Sequence, residues 1–467
     1  MPSSHSEASL IDQKQKVKSG SPKIKIIAPC TKGNGILKLN QDQVFLFEEK
    51  FQEIKVPIAF FIPASGVGSR MFDFLQSELD IEDQSMALKT KEFSERIREF
   101  AFYKALSSVQ KKRIESLSST KSLIDFLLKP DGQGVGLDAL PKGLVPFHAY
   151  DGIQYSPFFE HLSQGLELNA HSIAFHFTIQ EAHENLFNKA LSLFRKNHSG
   201  LESVHFSFQE PMTDAFVFGP DEAPLKERET YIRRPSGHGA LLSNLNAIQE
   251  QYILVKNIDN VQHRRHSESS LNISKVLCGV LRTVKTELKA LHVSPDFDRL
   301  SALSDRFQLF SNTEIEAAQN HDALRALVNR PLRICGMVLN EGKAGGGPFY
   351  VDYEGNPSKQ IVEGVQIMGP DQQQVFESST HFNPVMMALD TFDVDGNKFD
   401  LSEYCNEDQY FVVEKIFQGA PVCYIERPGL WNGGMFHWNT IFLEIPAEAF
   451  TPVKTILDLL QAPHQER

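Results

Sequence analysis

The chain has 467 residues, 41% hydrophobic and 23% charged, which is enough to bury one large core or two ordinary ones without disulfide or metal staples. A formal charge of −12 and a pI near 5.8 exclude a surface built to neutralise nucleic-acid phosphates or to lie on an anionic membrane, so any phosphate chemistry must use a few local cations. No apolar run approaches the roughly 18 residues of a membrane span, the N-terminus lacks the apolar centre of a signal peptide, and Cys30, Cys278, Cys335, Cys405 and Cys423 form no C-x-x-C pair; the sequence predicts a cytoplasmic protein without a zinc site or a disulfide framework.

Residues 1–22 are rich in Ser, Gln and Lys and predict a disordered tail, with folded structure beginning near Ile24. The apolar run Val56–Ile62 stops at Pro63-Ala64-Ser65-Gly66-Val67-Gly68-Ser69-Arg70, a buried strand emptying into a glycine loop. Over residues 72–140, Phe93, Ile97, Phe100, Tyr103 and Leu106 recur at spacings of three and four and predict a helical insertion. Strand-like runs follow at 172–178, 203–208, 252–255, 361–368 and 441–445, separated by helical or polar stretches such as 181–194, which predicts an α/β layered sheet. Glycine and aromatic clusters at 342–353 and 429–439 predict loops that shape a cleft. The division expected is one catalytic domain over 23–460, with the helical insertion at 72–140, a C-terminal region over 340–460 and a short tail at 461–467.

The loop Ala64–Met71 carries the first chemistry. Its glycines can bring backbone N–H groups against a phosphate, and Arg70 adds charge and a two-pronged donor. A dinucleotide-binding loop would need a third glycine where Met71 stands, and a P-loop would need Gly-Lys-Ser/Thr; neither is present. The run Tyr252–Val261 reads as a buried strand ending in Asp259, the best-placed carboxylate for a Mg2+ ion, which takes hard oxygen ligands.

These segments resemble a family. Ala64–Met71 is similar to the A-x-G-x-G-S/T-R-M loop of nucleotidyltransferases that activate sugars and small alcohols. Leu140–Phe147 (LPKGLVPF) and Ser156–Leu162 (SPFFEHL) resemble that family's P-K-x-L-x-P and T-P-x-x-E-H segments. Gln209-Glu210-Pro211 and Arg234–Leu241 (RPSGHGAL) resemble the Q-x-x-P and P-x-G-H-G segments of UDP-glucose and UDP-N-acetylhexosamine pyrophosphorylases, and Phe450–Leu460 resembles their F-x-P-V-K-T-x-x-D-L-L segment. The ordered resemblance runs from about Ile58 to Leu460 and is nearest to a bacterial pyrophosphorylase-like family, domain of unknown function 4301. The departures are Ser65 for the first glycine of the common G-G-x-G loop, Phe72 for a frequent final glycine, Pro211 one residue early for the Q-x-x-P segment, and the helical insertion that separates Arg70 from Lys142.

The resemblance implies a Rossmann-like, mostly parallel mixed sheet of the nucleotidyltransferase (GT-A) type with a helical insertion. It implies transfer of a nucleoside monophosphate from a nucleoside triphosphate (NTP) to a sugar 1-phosphate, with pyrophosphate released. Arg70, Lys142 and Lys454 would hold phosphates, and Ala64, Ser65, Gly66, Gly68, Ser69, Gln209, Gly237, His238 and Gly239 would contact the nucleotide. Gly346, Glu363 and Asn383 would contact the sugar, and Asp259 with Asn439 would hold Mg2+. Trp431 and Trp438 read as packing residues. Because the attacking phosphate oxygen is already anionic, no general base is required. Two other readings stand beside this one. Asp393-Val394-Asp395 matches the D-x-D of a glycosyltransferase of the same fold, although Asp395-Gly396-Asn397 is also a turn signature. A non-catalytic sugar-nucleotide sensor would use the same binding residues. His263-Arg264-Arg265-His266 reads as a solvated loop.

Overall fold

The run Val56–Ile62 forms the strand Ile58–Pro63, buried from Ile58 to Ile62, in a computed structural model that describes residues 4–76, 84–129, 134–340 and 346–466. The chain divides into two compact units, each drawn from three separate segments. Unit 1 comprises Met1–Ala59, Phe208–Val255 and Lys275–Ile445; unit 2 comprises Phe60–Ser207, Lys256–Ser274 and Pro446–Arg467. Reading 23–460 as a single domain did not make this division. Among the described residues no helix is long and apolar enough to cross a membrane.

In unit 1 the strands run in the order Thr31–Lys32, Gly35–Leu37, Asn439–Glu444, Leu332–Leu339, Met386–Asp390 and Tyr252–Lys256. Leu332–Leu339 is parallel to Asn439–Glu444 and antiparallel to Met386–Asp390, so the sheet is mixed. It is buried from Leu332 to Val338. A separate antiparallel sheet of Ile26–Pro29, Gly347–Tyr353 and Asn356–Val362 closes over Phe349, Val351, Val362 and Phe436. Here the expected 361–368 strand is corrected: the strand ends at Val362, because Glu363 and Gln366 form a reciprocal capping box that turns Gly364–Gln366 into a 3-10 helix.

The N-terminal tail expected to be disordered is a helix, Ser4–Ser19. Its docking is polar, which is why composition conceals it. The Gln13 side-chain oxygen accepts the buried N–H of Phe216 at 2.8 Å, Lys16 lies 5.4 Å from the Tyr410 ring centre, and the Tyr410 hydroxyl donates to the Gly20 carbonyl at 3.0 Å.

In unit 2 the strands run Ile58–Pro63, Ile173–Ile179, Ser203–Phe208. The helix Pro157–Glu167 starts on a Ser156 cap with proline in its first turn, and its residues from Pro157 to Leu162 are buried. The helical insertion is present as Gln84–Glu95, Ala101–Lys104, Ser108–Glu115 and Thr120–Leu128, around a core that includes Phe93, Phe100, Phe102 and Leu127. Val453, Ile456 and Leu459 enter the same core. The expected C-terminal tail is therefore also corrected: Ala462–His464 is a short 3-10 helix, and His464 is buried against the ring of His148.

Candidate active site

The loop after Ile58–Pro63 is tied down from both sides within unit 2. Ala64 donates its N–H to the Thr178 carbonyl at 2.8 Å, and the Gln180 amide donates to the Ser65 carbonyl at 2.6 Å. On the other side, Gly68 N–H reaches the Leu140 carbonyl at 3.1 Å and Lys142 N–H reaches the Gly66 carbonyl at 3.0 Å, the reciprocal pair of a bridge between Val67 and Pro141. This bridge brings Lys142 back beside the loop across the whole helical insertion. A Cβ on Gly68 would lie 2.5 Å from the Leu140 carbonyl oxygen, so glycine is demanded there by close backbone approach. A Cβ on Gly66 would meet nothing within 4 Å, so glycine leaves that face of the loop uncovered. Ser69 opens the 3-10 helix Ser69–Phe72, whose Met71 and Phe72 are buried while Arg70 is exposed.

Asp259, three residues past the strand Tyr252–Lys256, is 6% exposed. Its Oδ2 accepts from Lys142 Nζ at 2.7 Å and from Lys454 Nζ at 2.9 Å. Its Oδ1 is buried with no hydrogen-bond partner. Burial acts to raise the Asp259 pKa, but the charges and hydrogen bonds of the two lysines outweigh it and hold the carboxyl below its ordinary value. Burial lowers Lys142, with Asp259 opposing. The two ammonium groups differ in access: the Lys142 side chain is 13% exposed and that of Lys454 is 62% exposed. Val453 N–H donates to the Asp259 carbonyl at 3.1 Å and Thr451 N–H to Asn260 Oδ1 at 3.1 Å. Asp458 Oδ2 accepts the backbone N–H groups of Lys454 and Thr455 at 2.8 and 2.7 Å.

Two buried groups that sequence reasoning did not single out hold this strand end. Lys256 Nζ donates to Gln164 Oε1 and Ser270 Oγ, both at 3.0 Å, and burial pushes its pKa down to about 8. His161 Nε2 donates to the carbonyls of Asn257 and Ile258, both at 3.2 Å. The lysine that ends the apolar run Tyr-Ile-Leu-Val-Lys was the available signal. The tetrad His263–His266 is also corrected. His263 is 4% exposed, whereas Arg264 and Arg265 are exposed as the solvated-loop reading has them, Arg264 lying 4.4 Å from the Tyr150 ring centre; the correction concerns His263.

Unit 1 gathers a second group. Gly237 has φ +74°, a conformation that favours glycine, and a Cβ on Gly239 would lie 2.0 Å from the Pro428 carbonyl oxygen. His238 stacks on Trp431 with centroids 4.1 Å apart. Leu430 N–H donates to His238 Nδ1 at 2.9 Å, which leaves the proton on Nε2, 3.3 Å from Glu363 Oε1. Trp431 Nε1–H donates to the same oxygen at 3.2 Å. Burial works to raise Glu363, yet these donors hold it below its ordinary value. Trp431 is therefore a hydrogen-bond partner as well as a packing residue. Its carbonyl accepts from the fully buried Arg333 at 2.6 Å.

The remaining residues are used locally. Gln209 donates to Asp214 at 2.9 Å. Asn383 N–H donates to the Gly346 carbonyl at 2.7 Å, and its side-chain oxygen accepts from Val385 N–H at 3.0 Å. Asn439 is 3% exposed and its amide donates to the Leu327 carbonyl at 3.1 Å. Gly345, part of the same glycine run as Gly346, lies outside the described residues. Asp393 accepts from the backbone of Asp395 and Asn397 at 2.9 and 2.8 Å in a turn with Gly396 at φ +90°. Among the described residues no group of three or more His, Cys, Asp or Glu side chains could hold a metal ion.

No curated protein sequence matches the chain. The sequence family described as domain of unknown function DUF4301 matches residues 3–465. The chain belongs to this family. Among solved structures, the UDP-N-acetylglucosamine pyrophosphorylase of Trypanosoma brucei, in complex with inhibitor, is 14% identical with a TM-score of 0.50, covering 98% of this chain and 75% of its own. A mutant UDP-glucose pyrophosphorylase of Leishmania major, in complex with UDP-glucose, is 14% identical with a TM-score of 0.45, covering 98% and 75%. At that identity the first likeness is one of fold: the DUF4301 chain folds like the T. brucei enzyme.

Proposed function

We propose that the protein is a nucleotidyltransferase of the GT-A type, transferring a nucleoside monophosphate from an NTP to a sugar 1-phosphate and releasing pyrophosphate. The observation that carries this reading is the meeting of Lys142 and Lys454 on one buried carboxylate beside the Ala64–Met71 loop. A structural ion pair needs one cation. Asp259 has two on a single oxygen and leaves its other oxygen without a hydrogen-bond partner, so both ammonium groups can turn from one shared acceptor to a phosphate. The likeness of fold to the T. brucei UDP-N-acetylglucosamine pyrophosphorylase supports the sugar phosphate class.

In this reading Lys142, Lys454 and Arg70 donate to the phosphate oxygens, and the uncovered face at Gly66 admits them close to the backbone. The unpartnered Oδ1 of Asp259 suits a single Mg2+ contact, since Mg2+ is commonly held by one or two carboxylates together with substrate phosphates and water. Bound there, Mg2+ would offset phosphate charge as it develops. The protein's share of the catalysis is orientation and cation placement: the sugar phosphate oxygen attacks the α-phosphorus in line and pyrophosphate leaves opposite, without a general base. His238, Glu363, Asn383 and Gly346 are the candidates for nucleotide and sugar contacts. Asp393 is committed to its turn, which removes the support for the glycosyltransferase reading.

The test is a panel of the common NTPs against sugar 1-phosphates, read as pyrophosphate release, with Lys142→Ala as control. Release that depends on one pair and on Lys142 supports the reading. Triphosphate binding without release from any pair would instead favour a sensor.

A further inference from the structure

Lys454 lies inside a loop of unit 2 whose two ends are joined by the His464 side chain. His464 Nε2 is 3.0 Å from the carbonyl oxygen of Thr451, so residues 451–464 form a ring with Lys454 near one end. A carbonyl can only accept, so His464 Nε2 carries the proton and a neutral His464 must accept at Nδ1. The donor is His148 Nε2, 3.2 Å away. His148 Nδ1 then accepts from Glu160 Oε1 at 2.6 Å, Glu160 Oε1 accepts from the Tyr150 hydroxyl at 2.8 Å, and the Tyr150 oxygen accepts from Arg264 N–H at 2.8 Å. Every bond in the chain points the same way, toward Thr451.

The middle of the chain is buried: His148 and Glu160 are each 2% exposed and His464 is 4% exposed. The His148 and His464 rings stack with centroids 5.4 Å apart, and His263 N–H donates to the Pro463 carbonyl at 3.0 Å. The Lys454 side chain, by contrast, is largely exposed, so backbone placement must aim it. Val453 N–H on the Asp259 carbonyl, Thr451 N–H on Asn260 Oδ1 and Lys454 N–H on Asp458 Oδ2 hold that backbone through its donors, and the His464 clasp adds the one side-chain hold on the Thr451 carbonyl, three residues before Lys454.

We propose that His464, seated on His148 and Glu160, is a positioning residue for phosphate binding, acting through the backbone that aims Lys454. The proposal rests on the polyphosphate reading of Lys454. His464 does not touch the ligand.

The test is calorimetric titration of the full-length protein with magnesium tripolyphosphate. His464→Ala and Lys454→Ala should each weaken binding about tenfold, and the double variant no more than Lys454→Ala alone, because a residue acting through Lys454 has nothing left to position. His464→Gln keeps an N–H for Thr451 and should bind within about twofold of wild type. Amide exchange at Val453 should quicken in His464→Ala and stay slow in His464→Gln. Wild-type affinity in His464→Ala, a multiplicative loss of about a hundredfold in the double variant, or a His464→Gln as weak as the alanine variant would each overturn the proposal. If the wild-type protein does not bind tripolyphosphate, the polyphosphate reading fails and this role with it. An unchanged Val453 exchange rate would overturn the clasp alone.

Discussion

Val453 gives its backbone N–H to the carbonyl oxygen of Asp259 at 3.1 Å, and the next residue returns to the same aspartate through its ammonium group at 2.9 Å. One acidic strand end thus aligns both the path of the C-terminal segment and the direction of its lysine. Lys142 shares the same carboxylate oxygen, and the carboxylate of Asp458, held by the backbone N–H groups of Lys454 and Thr455, is near enough to act on Lys142 as well.

Replacing Asp259 should separate the two ionic partners of the site. In Asp259→Ala the lysines have no carboxylate to leave, so metal-free tripolyphosphate is expected to bind about tenfold more tightly than in the wild type. The gain on adding Mg2+ should vanish. Calorimetry with and without Mg2+ measures both; an unchanged metal-free affinity would show that Asp259 does not compete with phosphate for the lysines.

The cations should be separable from stability. Lys142→Ala is expected to lower pyrophosphate release on the order of a hundredfold. Arg70 is exposed and makes no ion pair among the described residues, so Arg70→Ala should shift unfolding free energy by less than about 0.5 kcal/mol while still lowering the rate. A rate equal to wild type in Arg70→Ala would remove it from phosphate binding.

Glycines of one loop should behave oppositely. Gly68→Ala would drive a methyl against the Leu140 carbonyl at 2.5 Å and is expected to destabilise the protein by roughly 1–3 kcal/mol. Gly66→Ala meets open space, so melting should be unchanged while tripolyphosphate binding weakens as the methyl occupies the phosphate's approach. Unweakened binding in Gly66→Ala would place the phosphate elsewhere.

Much of this arrangement was legible in the sequence. The run Val56–Ile62, the insertion periodicity around Phe93 and Phe100, and the strand end at Asp259 reflect short-range rules of apolar periodicity and strand ends, whereas Lys142 and Lys454 were singled out only by the resemblance of their segments to those of the pyrophosphorylases. Polar docking was not legible. Gln13 anchors a helix by one hydrogen bond, His464 closes a loop by another, and neither leaves a periodic trace. The strand Leu332–Leu339 was missed because the charge at Arg333 breaks its apolar run. In the fold that guanidinium is satisfied by Thr440 Oγ1 at 2.8 Å and the Trp431 carbonyl at 2.6 Å. Glu363 was named for sugar hydroxyls, but its union with His238 and Trp431 depends on three separate loops meeting, which no local pattern encodes.

The buried Glu160 network should be visible in the pH dependence of stability. Burial raises Glu160 from 4.5 to about 8 and lowers His148 and His464 from 6.5 to about 3. Between about pH 7.5 and 8 the unfolded histidines, with an ordinary pKa of 6.5, are mostly neutral as the folded ones are, while folded Glu160 keeps a proton that the unfolded chain has released. The folded state binds more protons there, so stability falls as pH rises, by up to roughly 1.4 kcal/mol per pH unit. Below pH 6.5 the unfolded histidines take up protons that the folded state refuses, so stability also falls as pH drops. Glu160→Gln retains an acceptor for Tyr150 and a donor for His148. Urea unfolding across this range should lose the alkaline decline in that variant and keep the acid one; an identical alkaline slope would show that Glu160 is ionised in the fold.

In unit 1, Glu363→Gln should disturb Trp431 directly, since the indole N–H donates to that carboxylate. The emission of Trp431 is expected to shift, and the KM for the sugar 1-phosphate to rise with the KM for the triphosphate unchanged. A rise in the triphosphate KM alone would reassign Glu363 to the nucleotide.

The helix Ser4–Ser19 bears on how the protein can be handled. A chain trimmed to begin at Pro22, as composition would recommend, would strip the acceptor from the buried Phe216 amide and uncover one side of Tyr410. Such a truncation would yield an adhesive, aggregation-prone preparation rather than a tidier one, and the apparent insolubility would be an artefact of where the chain was cut.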